Sequence, residues 1–160
     1  MTTELKITLP DRPSELIRWG LKDLRACEED PVYKIDMSAW HRPLVYDGIV
    51  RDCLVCLTGA VLAKTFLCPL ANEFTPSMLE ITDLPSIAYN SIFEVDILIK
   101  KLKALDHFRD GAISYAFATL GTPIPGGISS RVHIIRYADS QNKFYQNMEQ
   151  LALTLEVAGA

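Results

Sequence analysis

The chain has 160 residues and a formal net charge of −4, with 16 Lys and Arg against 20 Asp and Glu. Hydrophobic residues make up 49% and charged residues 22%, a composition that supports an apolar core and excludes a disordered chain. The acidic balance argues against general nucleic-acid binding, and no apolar run approaches the ~20 residues of a membrane span. Because the start of the chain lacks the basic and apolar segments of a signal peptide, we expect a single cytoplasmic domain over residues 1–160.

The first thirty residues predict a short strand followed by a helix. Residues 5–9 alternate between apolar and polar, and Pro10 ends this pattern. A helix with Pro13 or Ser14 near its cap is predicted to run to the acidic residues 28–30, because its apolar residues recur at helical spacing and a proline suits the first turn. Pro31 closes this segment.

The next segment predicts a strand, two turns and a buried helix. Residues 32–37 are rich in strand-forming side chains, whereas residues 38–43 and 46–48 carry turn signals. Asp52 then stands where a helix N-cap would, ahead of the apolar residues 53–64. On that predicted central helix, one face consists of small side chains beside a glycine, which would let another backbone approach closely: Cys53, Cys56, Gly59, Ala60 and Ala63.

The second half of the chain predicts further helices. After the irregular residues 66–80, a helix is expected to start near Asp83, and a shorter one to cover residues 113–120. A proline- and glycine-rich loop follows at 121–127. For the C-terminal region we favour one long helix from Ser129 or Ser130; the alternative is a strand at 132–137 followed by a helix from Ser140. The fold class expected is therefore mostly α (α+β), a single-domain helical bundle with a small β element near the N-terminus.

A cluster of cysteine and histidine is the sharpest chemical candidate. Zinc takes Cys and His ligands in a tetrahedron, and Cys53-x-x-Cys56 has the spacing of a half-site, with His41 and Cys68 available as further ligands. A second matched pair is missing, and packing of small side chains explains both cysteines equally well. We therefore expect no metal and no cofactor, with zinc held by these four residues as the alternative.

The same residues also allow a nucleophilic cysteine. In the first turn of the predicted helix, the Cys53 thiolate would be favoured by the helix dipole, with His41 as its base. The carboxylate of Asp52 beside the thiol opposes its ionisation. Whether the protein is an enzyme stays open, and the balance leans against catalysis.

Three short stretches carry a resemblance to a known group of proteins. They are Trp40-His41-x-Pro43, Cys53-x-x-Cys56-Leu57-x-Gly59-Ala60-Val61 and Leu105-Asp106-x-Phe108-Arg109-x-Gly111. Together they resemble small uncharacterised proteins of bacteriophages and prophages, over roughly residues 33–121. The resemblance implies no catalytic residue. It implies a host-cell setting in which short acidic proteins bind and inhibit host proteins, including defence components.

The function expected is non-catalytic binding of a host protein in the cytoplasm. Candidate partner-binding residues are the acidic end of the first helix, at Glu28, Glu29 and Asp30, and two aromatic residues of the last helix, Phe144 and Tyr145. Packing of one helix face into the core is the competing explanation for the aromatic pair. The last helix is also where a homodimer would form.

Overall fold

A computed structural model describes residues 8–75, 92–123, 125, 128 and 134–160, and for residues 92–95 it describes the backbone alone. Five helices and three strands are formed by these residues. In chain order they are α1 (Pro13–Glu29), β1 (Tyr33–Ile35), β2 (His41–Tyr46), β3 (Ile49–Val55), α2 (Leu57–Lys64), α3 (Ile92–Arg109), α4 (Ile113–Leu120) and α5 (Gln141–Val157).

The first helix forms as its sequence predicts. Proline stands in the first turn of α1, and the buried side chains follow the apolar spacing along one face. Most of the predicted strand at 5–9 lies outside the described residues, and Thr8 and Leu9, which are described, are not in a strand. The predicted start of a helix near Asp83 also lies outside them, as does the proposed cap at Ser129 or Ser130.

The β element is larger than the sequence predicts. Its three strands are arranged in the order β1-β3-β2, with β1 parallel and β2 antiparallel to β3. Much of the predicted turn at 38–43 is strand, whereas the turn at 46–48 is confirmed: Asp47 and Gly48 have φ of 53° and 76° and join β2 to β3 as a tight hairpin. The fold is therefore a mixture of helices and a sheet rather than clearly one helical bundle.

The central helix is shorter than expected, because its first predicted turn belongs to β3. Asp52 and Cys53 lie in that strand, so Asp52 is not an N-cap. The cap is Cys56, whose Sγ accepts a hydrogen bond from the Gly59 backbone N–H at 3.4 Å. Every residue of α2 before its last, Lys64, is buried, which makes this helix the centre of the core.

A close backbone approach does occur at the small face of α2. A Cβ atom on Gly59 would lie 1.4 Å from the carbonyl oxygen of Trp40. The same oxygen accepts a hydrogen bond from the Cys56 backbone N–H at 3.4 Å. The segment before β2 is thus seated on the first turn of α2, where only glycine leaves room for it.

The C-terminal helix begins at Ser140, as the alternative interpretation has it. The Ser140 side chain accepts a hydrogen bond from the Lys143 backbone N–H at 3.3 Å, and the long helix is wrong for residues 134–140. Residues 134–137 do not form a strand either. The backbone N–H of Ile135 donates instead to the side-chain oxygen of Asn147 at 2.9 Å. Among the described residues, no helix combines the length and the apolar character needed to cross a membrane.

Candidate functional site

The structure brings His41 and Cys53 together, as the sequence suggests. Their strands pair so that His41 lies opposite Val55 and Pro43 opposite Cys53. The Cys53 Sγ atom is 3.7 Å from both Nδ1 and Nε2 of the imidazole, and both side chains are fully buried. His41 Nδ1 donates to the backbone carbonyl of Asn72 at 2.7 Å, so this carbonyl orients the ring.

Burial keeps both members of this pair neutral. It raises the pKa of the Cys53 thiol to about 11 and lowers the pKa of His41 below its usual value. A thiolate–imidazolium pair, which a nucleophilic cysteine needs, is therefore disfavoured at neutral pH. The sequence predicted Cys53 in the first turn of a helix, where the helix dipole stabilises a thiolate. In the structure Cys53 lies on β3, so it does not occupy that position.

In the described part of the chain, the side chains proposed as zinc ligands are not arranged as a zinc site requires. Cys56 is committed to capping α2, and burial raises the pKa of both Cys56 and Cys68 to about 12. Within the described residues, no group of three or more His, Cys, Asp or Glu side chains is placed to hold a metal ion. In the described part of the chain, His41 and Cys53 are a pair with no third metal ligand beside them.

We expect Cys53 to resist alkylation in the folded protein. A fully buried thiol with a pKa of about 11 presents almost no thiolate to iodoacetamide at pH 7.5. Mass spectrometry after a one-hour incubation should show no adduct at this residue, whereas the same treatment in urea should modify all four cysteines. Rapid modification of Cys53 in the folded protein would contradict the assignment of an inert pair.

The acidic and aromatic residues predicted to bind a partner are largely engaged within the chain. Phe144 is 1% exposed and Tyr145 6%, so this aromatic pair belongs to the core and the proposed partner surface does not include it. Glu28 accepts hydrogen bonds from the Tyr145 hydroxyl and from the amide of Gln141. Asp30 pairs with Lys64 at 2.9 Å, and Glu29 is the one exposed residue of the three acids.

An apolar surface that the sequence did not predict lies at the tip of the β2–β3 hairpin. Val45, Tyr46 and Ile49 are 57%, 53% and 60% exposed. Tyr46 and Ile49 stand opposite each other in the register, which puts their side chains on one face. Val45 pairs with Val50 and points to the other face, so the tip is apolar on both sides. We call these four residues the hairpin tip.

The rest of β2 is protected against pairing with another strand. At its start, His41 exchanges backbone hydrogen bonds with Phe74, of 2.9 and 3.3 Å. Pro43 is two residues further on and faces the same outer edge, where it has no N–H to donate. Another strand could therefore not pair with β2 along residues 41–43. A partner that approaches the turn end of the hairpin would instead meet the side chains of the hairpin tip.

The three stretches that carry the resemblance meet at one packed junction. Arg109, at the end of α3, lies 3.0 Å from Asp106 and 2.9 Å from Asp110, and it donates to the carbonyl of Met37. Asp106 also receives a side-chain hydrogen bond from Trp40, and burial is the main reason that its pKa is raised. A pocket of about 390 Å³ borders this junction, but the arginines lining it already have carboxylate partners.

Comparisons of this chain with protein-family models, with curated proteins and with solved structures find no match.

Proposed function

We propose that this protein is non-catalytic and acts by binding another protein through the hairpin tip. The observation that carries the proposal is the exposure of Val45, Tyr46 and Ile49, each more than half exposed, around one tight turn. Large apolar side chains exposed side by side are a common mark of protein interaction sites. Tyrosine in particular is enriched among the residues that dominate binding energy.

The shape of the hairpin suits insertion into a cleft. Its two-residue turn, with positive φ at Asp47 and Gly48, matches the natural twist of the flanking strands and holds the tip in one conformation. Little conformational entropy is then lost on binding. Because apolar side chains project from both faces of the tip, a partner with an apolar cleft would bury more of them than a flat surface could.

The resemblance supplies the setting for this proposal. In proteins of bacteriophages and prophages, a small acidic binder would act in the host cytoplasm, with a host protein as its target and inhibition as its effect. The apolar side chains of the hairpin tip define the kind of surface that they would bind, which is an apolar cleft on a host protein.

A cysteine-dependent enzyme is the second candidate, and the contact between Cys53 and His41 favours it. Against it stand the full burial of both side chains and the neutral state that burial imposes. A substrate could reach Sγ only if the elements packed over this face of the sheet moved away.

Site-specific photocrosslinking tests the proposal. A photoreactive phenylalanine analogue at position 46 is expected to form a covalent adduct with one host protein in bacterial lysate. The same analogue at position 115 is the matched control, because Tyr115 is also an exposed aromatic residue, at 67%, but lies on α4. An adduct formed equally from both positions, or from position 115 alone, would overturn the hairpin tip as the binding surface.

A further inference from the structure

The exposed face shared by α1 and α5 has an unusual arrangement of charge. The two helices run antiparallel, and an ion pair joins them at each end of this face: Arg18 with Glu156, and Arg25 with Glu149 at 3.2 Å. All four side chains are about half exposed. The two arginines are seven positions apart on α1 and the two glutamates are seven positions apart on α5, so the two ion pairs lie about two helical turns from each other.

The centre of this face is an open apolar groove. Leu153, 47% exposed, lies between the two glutamates on α5, at the level of Lys22 between the two arginines on α1. A pocket of about 630 Å³ opens here, with Leu21 and Ala26 among its lining residues. Among the described residues, Lys22 has no carboxylate partner, and its ammonium lies 5.5 Å from the ring of Trp19.

The two rims of the groove carry opposite charge. One rim is the basic ridge of α1, formed by Arg18, Lys22 and Arg25 and followed at its C-terminal end by the exposed Glu29. The other rim is the acidic ridge of α5, formed by Glu149 and by Glu156, which pairs with Arg18. A surface with one basic and one acidic rim is complementary to itself under two-fold rotation. An axis along the groove places the basic ridge of each copy over the acidic ridge of the other.

We infer that this groove is the interface between two copies of the chain. In that arrangement each glutamate lies between its own arginine and an arginine of the second copy, so neither existing ion pair has to break. The two Leu153 side chains and the stems of the two Lys22 side chains cover the apolar centre, where burial of apolar surface stabilises the contact. This interface shares no residue with the hairpin tip and does not rest on the proposed function.

The oligomeric state of single variants tests this interface. Sedimentation velocity is expected to show a dimer at about 100 µM, a concentration at which a contact with a micromolar dissociation constant is mostly formed. Leu153→Lys should yield monomers, because it places two like charges at the centre. Val157→Lys is the matched control, one turn further along α5 and outside the groove lining, and should remain dimeric.

Reversal of the ridges gives a sharper test. One variant carries Arg18→Glu, Lys22→Glu and Arg25→Glu, and the other carries Glu149→Lys and Glu156→Lys. Each alone should be monomeric, because both of its rims then have the same charge, whereas a 1:1 mixture should form a heterodimer visible by native mass spectrometry. Circular dichroism checks that both variants fold, which we expect because exposed ion pairs contribute little stability.

Three results would overturn the interface. The first is a wild-type protein that stays monomeric at about 100 µM. The second is a dimer that survives Leu153→Lys and both ridge reversals. The third is a dimer that dissociates on Tyr46→Ser, which would place the contact at the hairpin tip instead.

Discussion

Replacing Gly59 with alanine is expected to lower the free energy of unfolding by ~3 kcal/mol or more, the upper range for forcing an atom into a packed core. The added methyl group would lie 1.4 Å from the carbonyl oxygen of Trp40 and 2.6 Å from its carbonyl carbon. Both obstacles are backbone atoms, so no change of side-chain rotamer relieves the clash. Moving Trp40 away would also break its hydrogen bond to Cys56, which joins the start of β2 to the first turn of α2.

Urea unfolding of Gly59→Ala measures this loss, with Gly20→Ala as the matched control. A methyl group on Gly20 would meet the ends of two leucine side chains, Leu57 at 3.0 Å and Leu105 at 3.1 Å. Those ends can shift, and alanine favours the helix, so we expect a change within ~1 kcal/mol. A Gly59→Ala variant as stable as the Gly20→Ala variant would contradict the close approach of Trp40.

Replacing Arg109 with methionine is expected to lower the free energy of unfolding by about 3 kcal/mol, because removal of one member of a buried ion pair leaves the other charge uncompensated. The arginine side chain is 15% exposed and is the nearest cation to the carboxylate of Asp106, at 3.0 Å. It also donates to the carbonyl of Met37, which holds the chain between β1 and β2 against the end of α3. Arg136→Met, at an exposed arginine with a 4.0 Å ion pair, should be nearly neutral.

The loss of unfolding free energy in Arg109→Met, measured as a function of pH, distinguishes the loss of a charge from the loss of packing. Burial already raises the pKa of Asp106, and Arg109 opposes that rise. Without the arginine, the pKa of Asp106 should rise further above its unfolded value, so the buried carboxylate costs the folded state more wherever the unfolded chain has released its proton. The deficit in unfolding free energy relative to the wild type should therefore be largest near pH 7 and shrink as the pH falls towards the folded pKa of Asp106 in the wild type. A deficit that is equal at pH 7 and pH 5, and that Asp106→Asn does not reduce, would show that packing alone is lost.

Local signals in the sequence predicted the helices better than the sheet. In α1, apolar spacing and an N-terminal proline act within a few residues, so the sequence around this helix contains most of what determines it. The favoured prediction for α5 placed its start too early, and only the alternative had the helix begin at Ser140. The strand β3 depends on pairing with β1 and β2 instead. Its last residues belong to the apolar run 53–64, where periodicity does not separate strand from buried helix.

The candidate sites show the same limit. The sequence offered the proximity of His41 and Cys53 only as part of the alternative to core packing, and their full burial, which decides their chemistry, depends on packing from several elements. The aromatic residues Phe144 and Tyr145 are in the core rather than on a surface. Tyr46, by contrast, is exposed because no described element covers the hairpin tip, and exposure of an apolar residue leaves no mark in the sequence around it.

The most direct test of the account compares two single variants in the same capture experiment from host lysate. Tyr46→Ser removes the aromatic side chain at the hairpin tip, whereas Cys53→Ala removes the only thiol in contact with His41. We expect the host protein bound by the wild type to be lost with Tyr46→Ser and retained with Cys53→Ala. Retention with Tyr46→Ser together with loss on Cys53→Ala, in a variant that is still folded, would contradict binding through the hairpin tip and place function at the cysteine–histidine pair.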